Sequence, residues 1–396
     1  MTSTAAPSLD DDRDYALEDM PDLHARLAAL RRRSPAAWVR CFGRPAVMFT
    51  SYQLVNAAFK DEETFPSKAF YASVVTDVLG YNIQCMYGDE HRRNRALASP
   101  TFRQRVVRDM VTGVLEPVAH ELIDRFDRRG EADLVAEYTR VYPFKIIFRM
   151  LGLPPAADDD VSRWALAMLD IQQNHEYAVR CSQEFTAFVQ PILAERRKDP
   201  ADDLISSLAT EEVDGERLTD DEIMNFLKLL FPAGSDTSYL GLGNTLYGLL
   251  TNPDQLAMVA TDVDGQARWA AEEGLRWEAP VALLPRHNPE AVVWNDVAIP
   301  ADTPLIFAIV AANRDPEQFD DPDRFDIARR PPSTLTFGFG QHFCLGAHLA
   351  RAEIEVSLRV LLSRLPNLSL AEEDGVRIGA TFSQMLRGPN RLPVRF

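Results

Sequence analysis

Apolar positions recur at helical spacing over most of the chain, the pattern of helices that bury one face. It predicts helices over residues 22–33, 51–60, 91–110, 112–128, 140–151, 158–170, 177–196, 219–250, 266–277 and 345–363. Strand-like runs are few. Trp38 to Cys41 and Ala46 to Thr50 flank a turn at Gly43, and Val292 to Ile299 is matched with Leu305 to Ile309. The last residues, Leu392 to Phe396, read as an edge strand. Many helices and few strands predict a mainly α fold with a small β region. No Pro/Gly/Ser-rich linker interrupts the chain, so residues 1–396 read as one domain, with 1–20 as a flexible acidic N-terminus.

The helix over 219–250 dominates. Thr219 with Glu222 three residues on forms a capping box, and Asn252-Pro253 ends the helix. At 1.5 Å per residue it runs roughly 48 Å, enough for a central wall. Its middle reads Ala233-Gly-Ser-Asp-Thr-Ser238, just after Pro232. Small residues, a glycine, a missing donor and side chains that compete for backbone hydrogen bonds predict a local widening or kink there. A packing notch for a crossing helix would need the same residues.

Composition narrows the function classes. The net charge of −17 makes nucleic acid and anionic membranes poor partners for the molecule as a whole. No apolar run approaches the roughly 18 residues of a membrane helix. Met1 to Met20 is polar and acidic, unlike a signal peptide. The four cysteines, Cys41, Cys85, Cys181 and Cys344, are scattered without a CxxC, which removes zinc ribbons, thioredoxin-like chemistry and c-type haem attachment. A reducing cytoplasm fits this usage. Against the acidic background, Arg92, Arg93, Arg95, Arg103, Arg105 and Arg108 crowd one stretch, either a solvated helix face or a docking patch for an acidic partner.

The most specific chemistry lies in Phe337-Gly-Phe-Gly-Gln-His-Phe-Cys344-Leu-Gly346. A cysteine at the mouth of a helix, with glycines four before and two after, sits where backbone N–H groups and the helix dipole favour a thiolate. Such a sulfur suits iron, although a buried cysteine in a Gly-rich turn is the commoner fate.

The pattern Phe-x-x-Gly-x-x-x-Cys-x-Gly resembles the proximal loop of the cytochrome P-450 superfamily, the haem-thiolate monooxygenases. The resemblance runs from about residue 36 to the end. It implies a triangular-prism fold with haem b between a long central helix and the Cys-loop helix, and a soluble, bacterial-type enzyme. Cys344 would be the iron ligand, with Phe337, Gly338 and Gly346 shaping its loop. Asp236 and Thr237 resemble the family's acid–alcohol pair, the acid relaying protons and the alcohol serving the oxygen groove. Ala233 and Gly234 would let haem and substrate approach the backbone. His91, Arg95, Arg286 and His342 resemble the cations that meet the haem propionates.

Glu273 and Arg276 share a helix face. With Arg324 they resemble the structural network that braces the cysteine loop, reached through Asn313-Arg-Asp-Pro316 and Asp321-Pro-Asp-Arg-Phe325. The hairpin Pro300-Ala-Asp-Thr303 carries Asp302 where the family usually has glycine. The substrate pocket should be apolar and drawn from Phe70 to Val75, Ala165 to Ile171, Leu229 to Phe231, Val281 to Leu284, and Met385 with Leu386. The leading candidates are Phe70, Tyr71, Leu230, Val281, Leu283, Leu284 and Met385 from these runs, together with Ala233. Gln172, Gln173, Asn174 and His175 form a polar stretch, either a solvated turn or a polar contact for substrate.

The expected activity is hydroxylation of an apolar organic substrate by dioxygen. Two electrons come from a ferredoxin/reductase system that docks on the basic patch, because the chain has no flavin or iron–sulfur motif of its own. An H2O2-driven peroxygenase and a non-catalytic haem protein are the alternatives, and Asp236-Thr237 weighs against both.

Overall fold

The computed structural model describes residues 7–154, 158–169, 171, 174–331, 333–372, 374–380 and 385–396. Most expected helices form within two residues of their predicted ends, including Leu23–Arg33, Tyr52–Lys60, Val141–Met150 and Ala347–Arg364. Two long expectations are broken. The helix begun at Gly88–Ala98 gives way to a 3-10 turn over Ser99–Phe102, where Pro100 supplies no N–H, and resumes at Gln104–Met110. The next opens as a π turn, Val111–Leu115, before Glu116–Ile123. Short helices at Ser67–Val74, Leu204–Thr210 and Pro253–Thr261 were not visible as separate periodic runs.

The chain divides into two compact units. The first comprises Met1–Phe70, Gly243–Cys344 and Glu373–Leu392. It holds a four-stranded sheet in the order Ala36–Cys41, Arg44–Phe49, Thr303–Ala308, Leu283–Asn288. The first pair is an antiparallel hairpin about Phe42 and Gly43, both at positive φ, with Trp38 opposite Val47. Arg44–Phe49 runs parallel to Thr303–Ala308, which pairs antiparallel with Leu283–Asn288. Val292 to Ile299 is not one strand on that sheet. It folds on itself as Val292–Trp294 against Val297–Ile299, turning at Asn295 and Asp296, whose φ values of 48° and 62° suit a two-residue hairpin. Asp302 adopts φ 57°, the left-handed conformation that aspartate tolerates. Phe49, Phe59, Phe65 and Phe307 pack edge-on or stacked at 5.2–6.1 Å in the unit's core.

The second unit comprises Tyr71–Leu242, Leu345–Glu372 and Pro393–Phe396. It is helical except for a three-stranded sheet of Glu131–Asp133, Pro393–Arg395 and Ser369–Leu370. The C-terminal strand is therefore central, not an edge, because it pairs on both sides. Tyr138 and Tyr142 stack at 5.3 Å, fully buried, and Tyr138 shares a hydrogen bond with Ser357 of the helix Ala347–Arg364. The helix Asp220–Leu250 stays α throughout, so the expected widening at 233–238 is absent as a change of helix type. The competing hydroxyls instead donate back to the preceding turn, Ser235 to Phe231 O and Thr237 to Ala233 O.

A buried charge cluster ties the N-terminal helix of the first unit to the rest. Glu278 accepts two partners on Oε2, His24 Nε2 at 2.5 Å and Arg314 at 3.5 Å, and Arg387 lies 3.4 Å from Oε1. Burial alone would push this carboxyl up, but His24, Arg314 and Arg387 outweigh it and hold it at about 2. A depressed carboxyl contributes stability above its unfolded value near 4.5 and loses it as pH falls toward 2. Glu278→Gln leaves two arginines buried beside a neutral amide. It should cost about 3–5 kcal/mol at pH 7, read as a lower urea midpoint, and the deficit should shrink as the medium is acidified below pH 4.

Candidate functional site

The cysteine loop is held mainly through its backbone. Gly338 N–H donates to Leu335 O, Phe343 N–H to Gly340 O, and Cys344 N–H to Phe337 O at 2.9 Å. Gly338 and Gly340 take φ 69° and 75°. A Cβ at Gly340 would stand 2.6 Å from Phe59 O, so that position is closed to any other residue, whereas one at Gly346 would meet nothing. Cys41, Cys85 and Cys181 are buried, but Cys344 is exposed, two residues before the Gly346 N-cap of Ala347–Arg364.

The expected brace is present and wider than expected. Glu273 and Arg276 are fully buried and paired twice, Nε to Oε2 and Nη2 to Oε1, both at 2.7 Å. Arg276 also donates to Asn313 O, Pro322 O and Arg324 O. Arg324 thus enters through its carbonyl, and its side chain is exposed. The second guanidinium on Glu273 belongs to Arg329, 3.4 Å away. From this network Asn313 Oδ1 accepts from Leu335 N–H, Asn313 Nδ2 donates to Thr336 Oγ1, and Thr336 donates to Leu275 O. The loop's entry is therefore tied to the helix Val263–Trp277. Asn313 lay in a stretch the sequence marked, but Thr336 and Arg329 did not stand out because their tasks are a hydrogen bond to a backbone carbonyl and contact with a buried carboxylate.

In the same unit Arg286 is 5% exposed, lies over the Phe307 ring and donates to Pro285 O. His342 is mostly buried, its Nε2 3.2 Å from Glu62 Oε1. Ala282 N–H donates to Met385 O, and Val281 bridges to Leu386. Of the apolar candidates here, Val281, Leu284 and Phe70 are half-buried, while Leu283 is fully buried core and Met385 nearly so.

In the second unit His91 is 1% exposed on the helix Gly88–Ala98, with Arg95 half-buried one turn on. Leu230, Ala233, Gly234 and Thr237 form an accessible stripe on the long helix, while Phe231, Ser235, Asp236 and Ser238 are buried. A Cβ at Gly234 would lie 2.7 Å from Ile147 Cδ1, so glycine lets the helix Val141–Met150 close in. Tyr71 is half-buried. Ala165, Ala167 and Met168 are buried, which leaves Leu166, Leu169 and Ile171 as the accessible members of their run. Asp170, Gln172 and Gln173 lie outside the described residues. Asn174 and His175 are exposed at the start of His175–Arg196, which fits a solvated turn.

Asp236 is the electrostatically unusual residue. It is 3% exposed, its Oδ2 has no partner among the described residues, and burial pushes its carboxyl up to about 7 against the opposing Arg140. An acid that holds and yields its proton near neutrality suits proton relay. Glu353, on Ala347–Arg364, is a second such acid, pushed up to about 8 by burial with Ser238 opposing. Its sequence context carried no signal beyond helical position.

An accessible thiol on a rigid loop at a helix mouth, with nearly buried Arg286 and His342 in the same unit, has the donor chemistry to hold an iron porphyrin and its carboxylates. These features fit a haem-thiolate protein. The comparisons agree: the model of the cytochrome P450 family matches residues 17–154 and 159–392, and the chain belongs to that family. It is 34% identical to 6-deoxyerythronolide B hydroxylase of Saccharopolyspora erythraea, with 99% of each chain covered. It is 32% identical to vitamin D(3) 25-hydroxylase of Pseudonocardia autotrophica, covering 94% of this chain and 93% of that one. A solved cytochrome P450 of Chondromyces apiculatus is 33% identical and superposes with a TM-score of 0.87 over 95% of each chain. The fold is accordingly the P450 fold, and the protein is a monooxygenase with haem b as its cofactor. It takes an organic substrate, dioxygen and electrons from redox partners. No helix among the described residues is long and apolar enough to cross a membrane.

Two outcomes follow from this geometry. Gly340→Ala should lower haem content and thermal stability, by about 1–3 kcal/mol, because a positive φ and the Phe59 carbonyl both oppose a side chain. Asp236 holds a proton between pH 4 and 7 that the unfolded chain has released, so its burial makes stability fall as pH rises through that window. Asp236→Asn should therefore gain stability relative to wild type on moving from pH 5 to pH 8, by on the order of a few kcal/mol, read from paired thermal melts.

Proposed function

We propose that this enzyme hydroxylates an apolar organic molecule, with electrons from a ferredoxin-type donor. The single observation that carries the proton-relay part is Asp236, a buried carboxyl poised near neutrality beside the accessible Thr237. The reading treats the 396 residues as one catalytic domain working in the cytoplasm.

When bound, haem b supplies activation of dioxygen, one atom entering the substrate and the other leaving as water. Cys344 would hold the iron through its sulfur, on a loop braced by its own backbone hydrogen bonds. His91, Arg95, Arg286 and His342 receive the propionates. Asp236 delivers protons from its carboxyl, and Thr237 orients them through its hydroxyl. Ala233 and Gly234 keep that helix face low. Phe70, Tyr71, Leu230, Val281 and Leu284 supply apolar surface that excludes water around the substrate. The relatives' names, both hydroxylases, support hydroxylation as the outcome.

The donor's docking surface is narrower than the arginine run. Arg92 is paired with Asp89, and Arg93 with Glu216 and Glu222, so both are internally committed. Arg103, Arg105 and Arg108 are exposed and make no ion pair among the described residues. Their segment includes the helix Gln104–Met110, which packs on Ala347–Arg364, the helix that the cysteine loop leads into.

Three variants test this. Cys344→His should abolish the red-shifted Soret band of the reduced carbon monoxide complex, and retention of that band would remove Cys344 as ligand. Thr237→Ala should divert electrons into hydrogen peroxide at similar NADH consumption, so unchanged coupling would remove Thr237 from the mechanism. Reversing Arg103, Arg105 and Arg108 to Glu should cut ferredoxin-driven kcat/KM by about tenfold at low salt, with the haem spectrum unaltered.

A further inference from the structure

The turn after the helix Tyr52–Lys60 is pressed against the cysteine loop. Phe59 O excludes a side chain at Gly340, Lys60 Nζ sits 4.8 Å over the Phe339 ring, and Glu62 Oε1 lies 3.2 Å from His342 Nε2. The same Glu62 oxygen accepts the Ser67 N–H at 2.5 Å, the first residue of the helix Ser67–Val74. The Glu62 side chain is only 8% exposed, and it has two partners that lie 275 positions apart in sequence. Ser67 is the one buried residue of that helix, and Phe70 and Tyr71 are half-buried.

We propose that Glu62 is a positioning residue that joins the cysteine loop to the start of the helix carrying Phe70 and Tyr71. The Glu62 carboxylate lies within ion-pair reach of the His342 ring, and the same oxygen satisfies an N–H that would otherwise be left over at the helix start. A neutral amide at position 62 keeps the shape but weakens both contacts, because charge-assisted bonds are the stronger ones. Displacing Ser67–Val74 therefore disturbs His342, and loosening the loop frees the helix. This rests on the reading of His342 as a propionate contact only for its effect on haem, and the link between the two segments stands without it.

The test uses hydrogen–deuterium exchange on the haem-loaded full chain. Glu62→Gln should speed exchange several-fold in peptides covering both 64–71 and 336–344, with Glu62→Asp intermediate. It should also shift the ferric/ferrous reduction potential, since an anion beside the loop is lost. Faster exchange at 64–71 alone would make Glu62 a simple helix cap and overturn the proposal. Unchanged exchange in both segments would overturn it too. His342→Gln separates the readings. If it loosens 64–71 but leaves haem retention as in wild type, the link holds and the propionate role of His342 falls. If it loosens haem but not 64–71, the link falls and the propionate role holds.

Discussion

The structure of the site depends on keeping one thiol accessible on a loop held by hydrogen bonds. A glycine-containing loop is by itself the least ordered kind of backbone. The fixation comes from behind it, in the fully buried Glu273–Arg276 pair. An isolated buried charge would be expensive, so Arg276 donates to Glu273 and to three carbonyls, and Glu273 also takes the Asp326 N–H. The polar demand of one pair thus fastens the segments around Asn313 and around Pro322 to Asp326. Asn313 and Thr336 pass that constraint on to the loop entry. A hydrophobic replacement of the pair would fill the space and lose the directional carbonyl contacts.

The acid chemistry follows a different rule. At Glu278 three cations outweigh burial, and the carboxyl stays ionised. At Asp236 burial outweighs one cation, Arg140, which is itself exposed. The same residue class therefore serves as a fixed charge in one place and as a proton carrier in the other. The number of cations near the carboxyl decides which.

Legibility in the sequence tracks the range of the interaction. The long helix was visible because Thr219, Glu222 and Asn252-Pro253 are local signals. The side chains of Thr219 and Glu222 do exchange hydrogen bonds with each other's backbone. The π turns at Val111–Leu115 and Val135–Thr139 gave no such sign, because each hydrogen bond there spans just one residue more than in an α-helix. The hairpin at Asn295-Asp296 was signalled by turn residues and was overlooked for the apolar run around it. The central position of Pro393–Arg395 was invisible, since its partners lie at Glu131–Asp133 and Ser369–Leu370 and only the fold brings them together.

The same distinction separates Arg324 from Arg329. Both stand in one short polar stretch, and the resemblance to the family's motif pointed to Arg324 for the network. Geometry uses the Arg324 carbonyl, which any residue could offer, and the Arg329 side chain, which only a long cation could replace. A motif letter therefore marks a place in the backbone path as often as it marks a working side chain. Arg329 also donates to the carbonyls of Asp320, Asp321 and Arg324, so its guanidinium gathers the turn that presents the Arg324 carbonyl to Arg276. Beside the Glu273–Arg276 pair, the second working side chain of the brace is therefore at position 329, and position 324 is carried by the turn that Arg329 closes.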